Sequence, residues 1–323
     1  MADLVLRGTY EQTNLDQRWR TVIDHASALG IRAAKVGVSQ FYYPQINRTL
    51  RGAIALEPIA AGEEFIVVPE KYVLSDLTVG NSSLAPVLES PLCKSNSFAA
   101  CRDGTQLLLA MAVFITREGA RSTSLWMPFI KTSIDGHDIE GLPLTWPTNS
   151  TRFASESDHF KQLTNSRVER LKSYLALELP RILHSFPAAL SEGLPCLKDT
   201  TGNCSSAYLT TLYDVNKLIA MFAVVSARYW FLELYGEARP FLAPIADLMN
   251  FGQMGVRVRF SDARKQLIFY TLKPIPANTE ILFHYGDICR EKSMLAYGFA
   301  PAGSTPCRRS LQLSKTRVRK PLK

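Results

Sequence analysis

The chain has 323 residues, of which 46% are apolar, and a formal net charge of +8. That length allows one large domain or two ordinary ones, and that apolar share supplies a buried core, which excludes a disordered chain. The longest unbroken apolar run, Leu107 to Ile115, is far short of the roughly 20 residues that span a bilayer, and no basic stretch followed by an apolar block opens the sequence.

Neither membrane attachment nor secretion is therefore expected, and a cytoplasmic or nuclear address follows as the expectation. The segment Arg308 to Lys323 holds seven basic residues and no acid, so removing those seven leaves a formal charge of only +1 on the rest. Nucleic-acid binding by the body of the chain is not expected, because no bulk basic surface remains. The tail reads as a solvated end or as an import or acidic-partner segment. Six cysteines (Cys93, Cys101, Cys196, Cys204, Cys289, Cys307) form no Cys-x-x-Cys pair, so no metal site is expected and reduced thiols are the default. Four Asn-x-Ser/Thr triplets, at Asn47, Asn81, Asn149 and Asn203, read as chance matches in an intracellular chain.

In chain order, Trp19, Val22, Ile23, Ala26 and Leu29 recur at helical spacing and stop at Gly30, which predicts a short opening helix. Short β-rich runs follow at Ala34 to Val38, Gly52 to Leu56 and Glu64 to Pro69. Leu77 to Cys101, rich in Ser, Asn and Pro, reads as a surface connection. Helical patterns then cover Thr105 to Arg117, Phe160 to Leu179 and, as the longest, Tyr208 to Leu234, with a loop-rich stretch from Lys131 to Asp158. The β pattern resumes at Phe241 to Ile245, Val256 to Phe260, Gln266 to Thr271 and Glu280 to Phe283. Two β-rich parts around a helical block predict an α+β fold in which the outer parts pair with each other.

Three stretches carry a resemblance. Thr49-Leu50-Arg51-Gly52-Ala53-Ile54, then Pro58 to Glu63, is similar to the opening strands of SET domains, where a glycine turn lets the backbone approach the cofactor. Pro244 to Gly252, containing Asp247-Leu248-Met249-Asn250-Phe251, resembles the segment that in this superfamily carries Asn-His. Glu280 to Gly286, with Tyr285-Gly286, followed by Tyr297-Gly298-Phe299, is similar to the terminal catalytic strand and its downstream Tyr-Gly-Phe. Leu125-Trp126-Met127-Pro128-Phe129-Ile130 and the helix ending in Arg228 resemble the branch that contains the Rubisco large-subunit lysine methyltransferase and the actin-histidine methyltransferase.

The resemblance, over about residues 17 to 300, implies a SET-domain β-fold of short strands (a β-clip) interrupted by a helical insertion. Its divisions would be an N-terminal helix (1–32), the two halves of the core (33–96 and 236–300), the insert (97–235) and a basic tail (301–323). It implies S-adenosyl-L-methionine as cofactor, a protein substrate and a monomer. By the same resemblance Tyr285 is the catalytic hydroxyl; Thr49, Leu50, Arg51, Arg228, Asp247, Asn250, Phe251, Tyr285, Tyr297 and Phe299 contact the cofactor; and Trp230 and Tyr297 line the substrate channel. An aromatic channel suits methyl transfer because desolvation favours the neutral amine and π faces attract cations. His284 is read as a packed or exposed side chain facing away from Tyr285 by strand alternation. Departures are Phe251 in place of His and Leu50 in place of Gly. Lysine methylation of a non-histone protein is the first reading. Histidine methylation and a catalytically degenerate SET module that binds a partner stay open beside it.

Overall fold

A computed structural model describes residues 9–10, 17–44, 48–94, 104–133, 139–252, 255–286, 288–300 and 304–307. The basic tail from Arg308 and the triplet at Asn47 lie outside the described residues. Helix α1 (Gln17–Ala28) buries Trp19, Val22 and Ala26, the stripe its spacing foretells. Strands β1 (Thr9–Tyr10), β2 (Val36–Tyr43) and β3 (Arg48–Ala55) form an antiparallel sheet. Strand β4 (Glu64–Pro69) belongs to a second sheet, and β5 (Leu74–Ser75) to a third.

Three long helices follow: α2 (Thr105–Ala120), α3 (Asp158–Ser185) and α4 (Val215–Arg228). Asp214 caps α4 by accepting from the backbone N–H groups of Asn216 and Lys217. The chain then returns to strands: β6 (Trp230–Leu234), β7 (Glu237–Leu242), β8 (Asn250–Phe251), β9 (Val256–Ser261), β10 (Gln266–Thr271) and β11 (Leu282–Phe283), before helix α5 (Arg290–Tyr297). Among the described residues no single helix is long and apolar enough to cross a membrane.

The two β-rich parts pair with each other, as expected. In the second sheet β10 lies between β4 and β9, so that Ile66, from the first part, stands opposite Phe269, from the second. Leu74 of β5 pairs with Leu242 of β7. Ala55 N–H donates to Thr279 O at 2.9 Å and Ile281 N–H to Ala53 O at 2.8 Å, bringing β3 beside Glu280. Two large apolar clusters and two small ones result among the described residues. One large cluster is built mainly by α2, α3 and α4, and the other large one by α1 and the sheets.

Four local readings of the sequence are corrected. The first hairpin is longer than its apolar runs, reaching Tyr43 and beginning at Arg48, because Phe41 and Tyr43 point inward while Gln40 and Tyr42 face out. Residues 77–94 are no surface connection: Val79, Leu84 and Val87 are buried on short helical turns. The helix expected from Tyr208 to Leu234 divides into Ser206–Leu212, α4 and strand β6, so α3 is longer. Its alternating Trp230, Leu232 and Leu234 carry the period of a strand. The described cysteines are not reduced thiols: Cys196–Cys204 and Cys289–Cys307 are disulfides, and Cys93 is disulfide-bonded as well.

Candidate active site

The site forms where β3, β8 and the segment after β11 meet. Asn250 on β8 donates from Nδ2 to Arg51 O of β3 at 3.1 Å, across 199 residues of sequence, and to Glu280 Oε1 at 2.8 Å. Glu280 Oε1 also accepts from the Tyr43 hydroxyl at 2.6 Å. With both amide hydrogens engaged, Asn250 cannot flip, and its Oδ1 is left as the acceptor. Gly52 is required beside this group, since a Cβ there would stand 2.5 Å from Asn250 Nδ2 and 2.6 Å from Glu280 Oε1.

The approach to Asn250 is strained. Ile245, just upstream, holds φ +70° and ψ −47°, a conformation that β-branched residues avoid. It turns the chain into the short 3-10 helix Ala246–Leu248, which delivers Asp247 to Arg228 at the end of α4, Nη1 to Oδ2 3.2 Å. Arg228 is thus paired with a carboxylate inside a largely apolar surrounding.

Tyr285 donates its hydroxyl to Met249 O at 2.7 Å. Burial pushes its pKa well above the ordinary value, the neighbouring Tyr297 acts in the same direction, and Arg228 opposes them. A phenol held neutral in this way donates a hydrogen bond and does not serve as a base. Tyr297 lies 4.9 Å from the Tyr285 ring and 6.0 Å from Phe299, while Phe251 lies 5.6 Å from Tyr285 and 6.4 Å from Phe299, centroid to centroid. Four aromatic rings are therefore gathered into one group at the end of β8, the strand that bears Asn250. The Tyr297-Gly298-Phe299 turn is held by Ser293 Oγ, which donates to Phe299 O at 3.0 Å.

Most of the residues singled out from the sequence come together here, and some do so differently from expectation. Thr49, Leu50 and Arg51 are not in a turn but in extended strand β3, opposite Tyr42, Phe41 and Gln40. Leucine at 50 fits an extended strand, where it packs on Phe41, Tyr43 and Ile54. Thr49 is exposed, and Arg51 contributes its carbonyl while its guanidinium lies 5.4 Å over the Trp19 ring. Trp230 stands in a different aromatic group, 5.6, 5.3 and 5.1 Å from Phe241, Phe269 and Phe283. His284 lies just past β11, which ends at Phe283; its ring stands 5.7 Å from Phe251 and its Nδ1 accepts from Gly286 N–H at 3.3 Å. Tyr43 and Glu280 were missed as individual side chains, although a glutamate opening the apolar run Glu280-Ile-Leu-Phe is a detectable anomaly.

No family model matches this sequence, and no curated protein matches it either. Solved structures do. Rubisco LSMT bound to AdoMet superimposes with a TM-score of 0.59 at 16% identity, covering 90% of this chain and 57% of that one. Rubisco LSMT bound to sinefungin and monomethyllysine gives 0.55 at 16%, covering 90% and 57%. The SET domain of LSMT bound to lysine and AdoHcy gives 0.54 at 14%, covering 89% and 58%. This chain thus spans under three fifths of the length of the structures it matches. At these identities the likeness is one of architecture, and it agrees with the mixed short sheets and helices described above: the chain has the SET-domain fold.

Proposed function

We propose that the chain is an S-adenosylmethionine-dependent protein methyltransferase whose acceptor is a lysine of a non-histone protein. The observation that carries this reading is the convergence of Asn250, Arg51 O, Tyr285 and a wall of aromatic rings from segments some 200 residues apart. The donor set fits the cofactor. Asn250 Oδ1, left open by the two bonds from Nδ2, suits an ammonium, and the close approach at Gly52 leaves β3 backbone beside it. Phe299 and Phe251 offer flat apolar faces of the kind that hold an aromatic base.

When bound, S-adenosylmethionine supplies a methyl group on a sulfonium, which moves by in-line displacement. The chain's own contribution is positioning and exclusion of water. Tyr285, fixed by Met249 O and kept neutral, orients the incoming nitrogen through its hydroxyl. Phe251, Tyr285, Tyr297 and Phe299 make a low-dielectric enclosure that favours the uncharged amine over the ammonium. Arg228, neutralised by Asp247, holds the end of α4 against the segment that bears Asn250.

A second reading has one observation in its favour: Thr49 to Arg51 are extended rather than turned, which suits a SET module that binds a partner without catalysis. Calorimetry with S-adenosylhomocysteine, and labelled methyl transfer into a cell extract, separate the two. Expected for the enzyme are measurable binding, transfer to protein, methyl-lysine rather than methyl-histidine on amino-acid analysis, and loss of transfer with binding retained in Tyr285→Phe. Absence of both binding and transfer would reject the activity.

A further inference from the structure

We infer that this chain folds in an oxidising compartment and carries N-linked glycans on Asn81 and Asn149. The starting observation is the state of its cysteines. Cys196 and Cys204 are bridged across 8 residues and Cys289 and Cys307 across 18, Cys93 is bridged too, and no described cysteine is free. Cα separations of 5.6 and 5.0 Å lie within the range that bridges without moving the backbone. The surroundings hold these pairs in place: Arg290 N–H donates to Thr305 O at 2.9 Å and Cys307 N–H to Glu291 at 2.6 Å, while Cys204 N–H donates to Ser191 Oγ at 2.9 Å. With their sulfurs joined, Cys289 and Cys307 have no thiolate to give a metal, although Glu291 approaches both. Pairing of every described cysteine is the mark of secreted and lumenal chains, because cytosolic thiol pools keep such groups reduced.

In that compartment the Asn-x-Ser/Thr triplets acquire a meaning they lack in the cytosol. Asn81 closes the short helix Asp76–Gly80 and is exposed. Asn149 is exposed in the turn before Ser150, which caps the next helix. Neither residue is among those gathered around Tyr285. Asn203 differs: it is half-buried, its Nδ2 donates to Thr201 Oγ1 at 2.7 Å, and its triplet contains the bridged Cys204. It is expected to stay unmodified.

The chemistry balances with two co-reactants. Each bridge forms as two thiols give two protons and two electrons to a disulfide oxidant, which departs as a dithiol. Each glycan is added when the asparagine Nδ2 attacks C1 of a polyprenyl-diphosphate-linked oligosaccharide. The N–C1 bond forms, the C1–O bond breaks, polyprenyl diphosphate leaves and the amide gives up one proton.

The test uses the native protein, immunoprecipitated from its own cells after lysis in a thiol-blocking maleimide, and then treated with glycosyl-asparagine amidases of both common specificities in heavy-oxygen water. Expected are no blocked thiols before reduction, six after it, a fall in mass on amidase treatment, and heavy-labelled aspartate at positions 81 and 149 but not at 203. Blocked thiols before reduction would overturn the inference. Bridged thiols with unlabelled Asn81 and Asn149 would overturn it equally. Neither readout depends on methyl transfer, so the inference stands or falls apart from the proposed activity.

Discussion

Glu280 is only 7% exposed, and both Tyr43 and Asn250 donate to one of its oxygens while Oε2 has no partner among the described residues. Burial raises its pKa from 4.5 to about 7, against the lowering effect of those two hydrogen bonds. Its folded pKa therefore lies above its unfolded one, so the native state holds the proton longer. The stability this contributes is complete below about pH 4.5 and is lost as pH rises through 7, an expected difference of about 3 kcal/mol. Glu280→Gln cannot titrate. Thermal melts of the two proteins at pH 5 and pH 8 should show the wild type losing ground to the variant by about that amount, whereas parallel pH profiles would contradict the assignment. The sequence displayed Asn250, Gly52 and Tyr285 as motif positions. It did not display the Tyr43–Glu280–Asn250 contact, because a hydrogen bond between residues 237 apart leaves no trace in local spacing.

Helix α5 and the turn after it decide where Tyr297 and Phe299 stand. Gly298 ends α5 with φ +74°, and a Cβ there would lie 2.2 Å from Gly141 O, a backbone atom that cannot swing aside. Gly298→Ala should cost more than about 2 kcal/mol in chemical denaturation, since left-handed strain adds to the clash. It should also weaken S-adenosylhomocysteine binding in calorimetry, because the aromatic pair shifts; stability lost with affinity unchanged would separate this turn from the site. The Cys289–Cys307 bridge closes 18 residues around the same turn, and Cys307→Ser should lower stability by about 3 kcal/mol by freeing that loop in the unfolded chain. Elements of this kind were legible in type where periodicity was long, as in α2 and α3. They were misread where one apolar run spans two elements, since α4 and β6 are separated by a break at Tyr229 that no Gly or Pro marks.

At the scale of the molecule the two large apolar clusters differ in how local they are. The helical cluster is built mainly within one continuous stretch, whereas the sheet cluster joins β4 to β10 and β9, with Ile66 and Phe269 paired and both fully buried. Pairing of outer β parts around a helical block was legible from their order along the chain, because an isolated meander of short strands cannot bury its own face. Register was not, since β4 and β10 are both apolar on nearly every residue and so lack the alternation that fixes it. If the sheets form one cooperative unit, damage to one strand must reach its distant partners. Phe269→Ala leaves a large void and should cost about 3–5 kcal/mol. Hydrogen exchange followed by mass spectrometry should then show residues 64–69 and 256–261 losing protection together with 266–271, while α2 in the helical cluster keeps more of its own. Loss confined to 266–271 would mean that the two β parts are joined by contact alone and unfold independently, and the Arg51–Asn250 hydrogen bond would then be lost whenever either part unfolded.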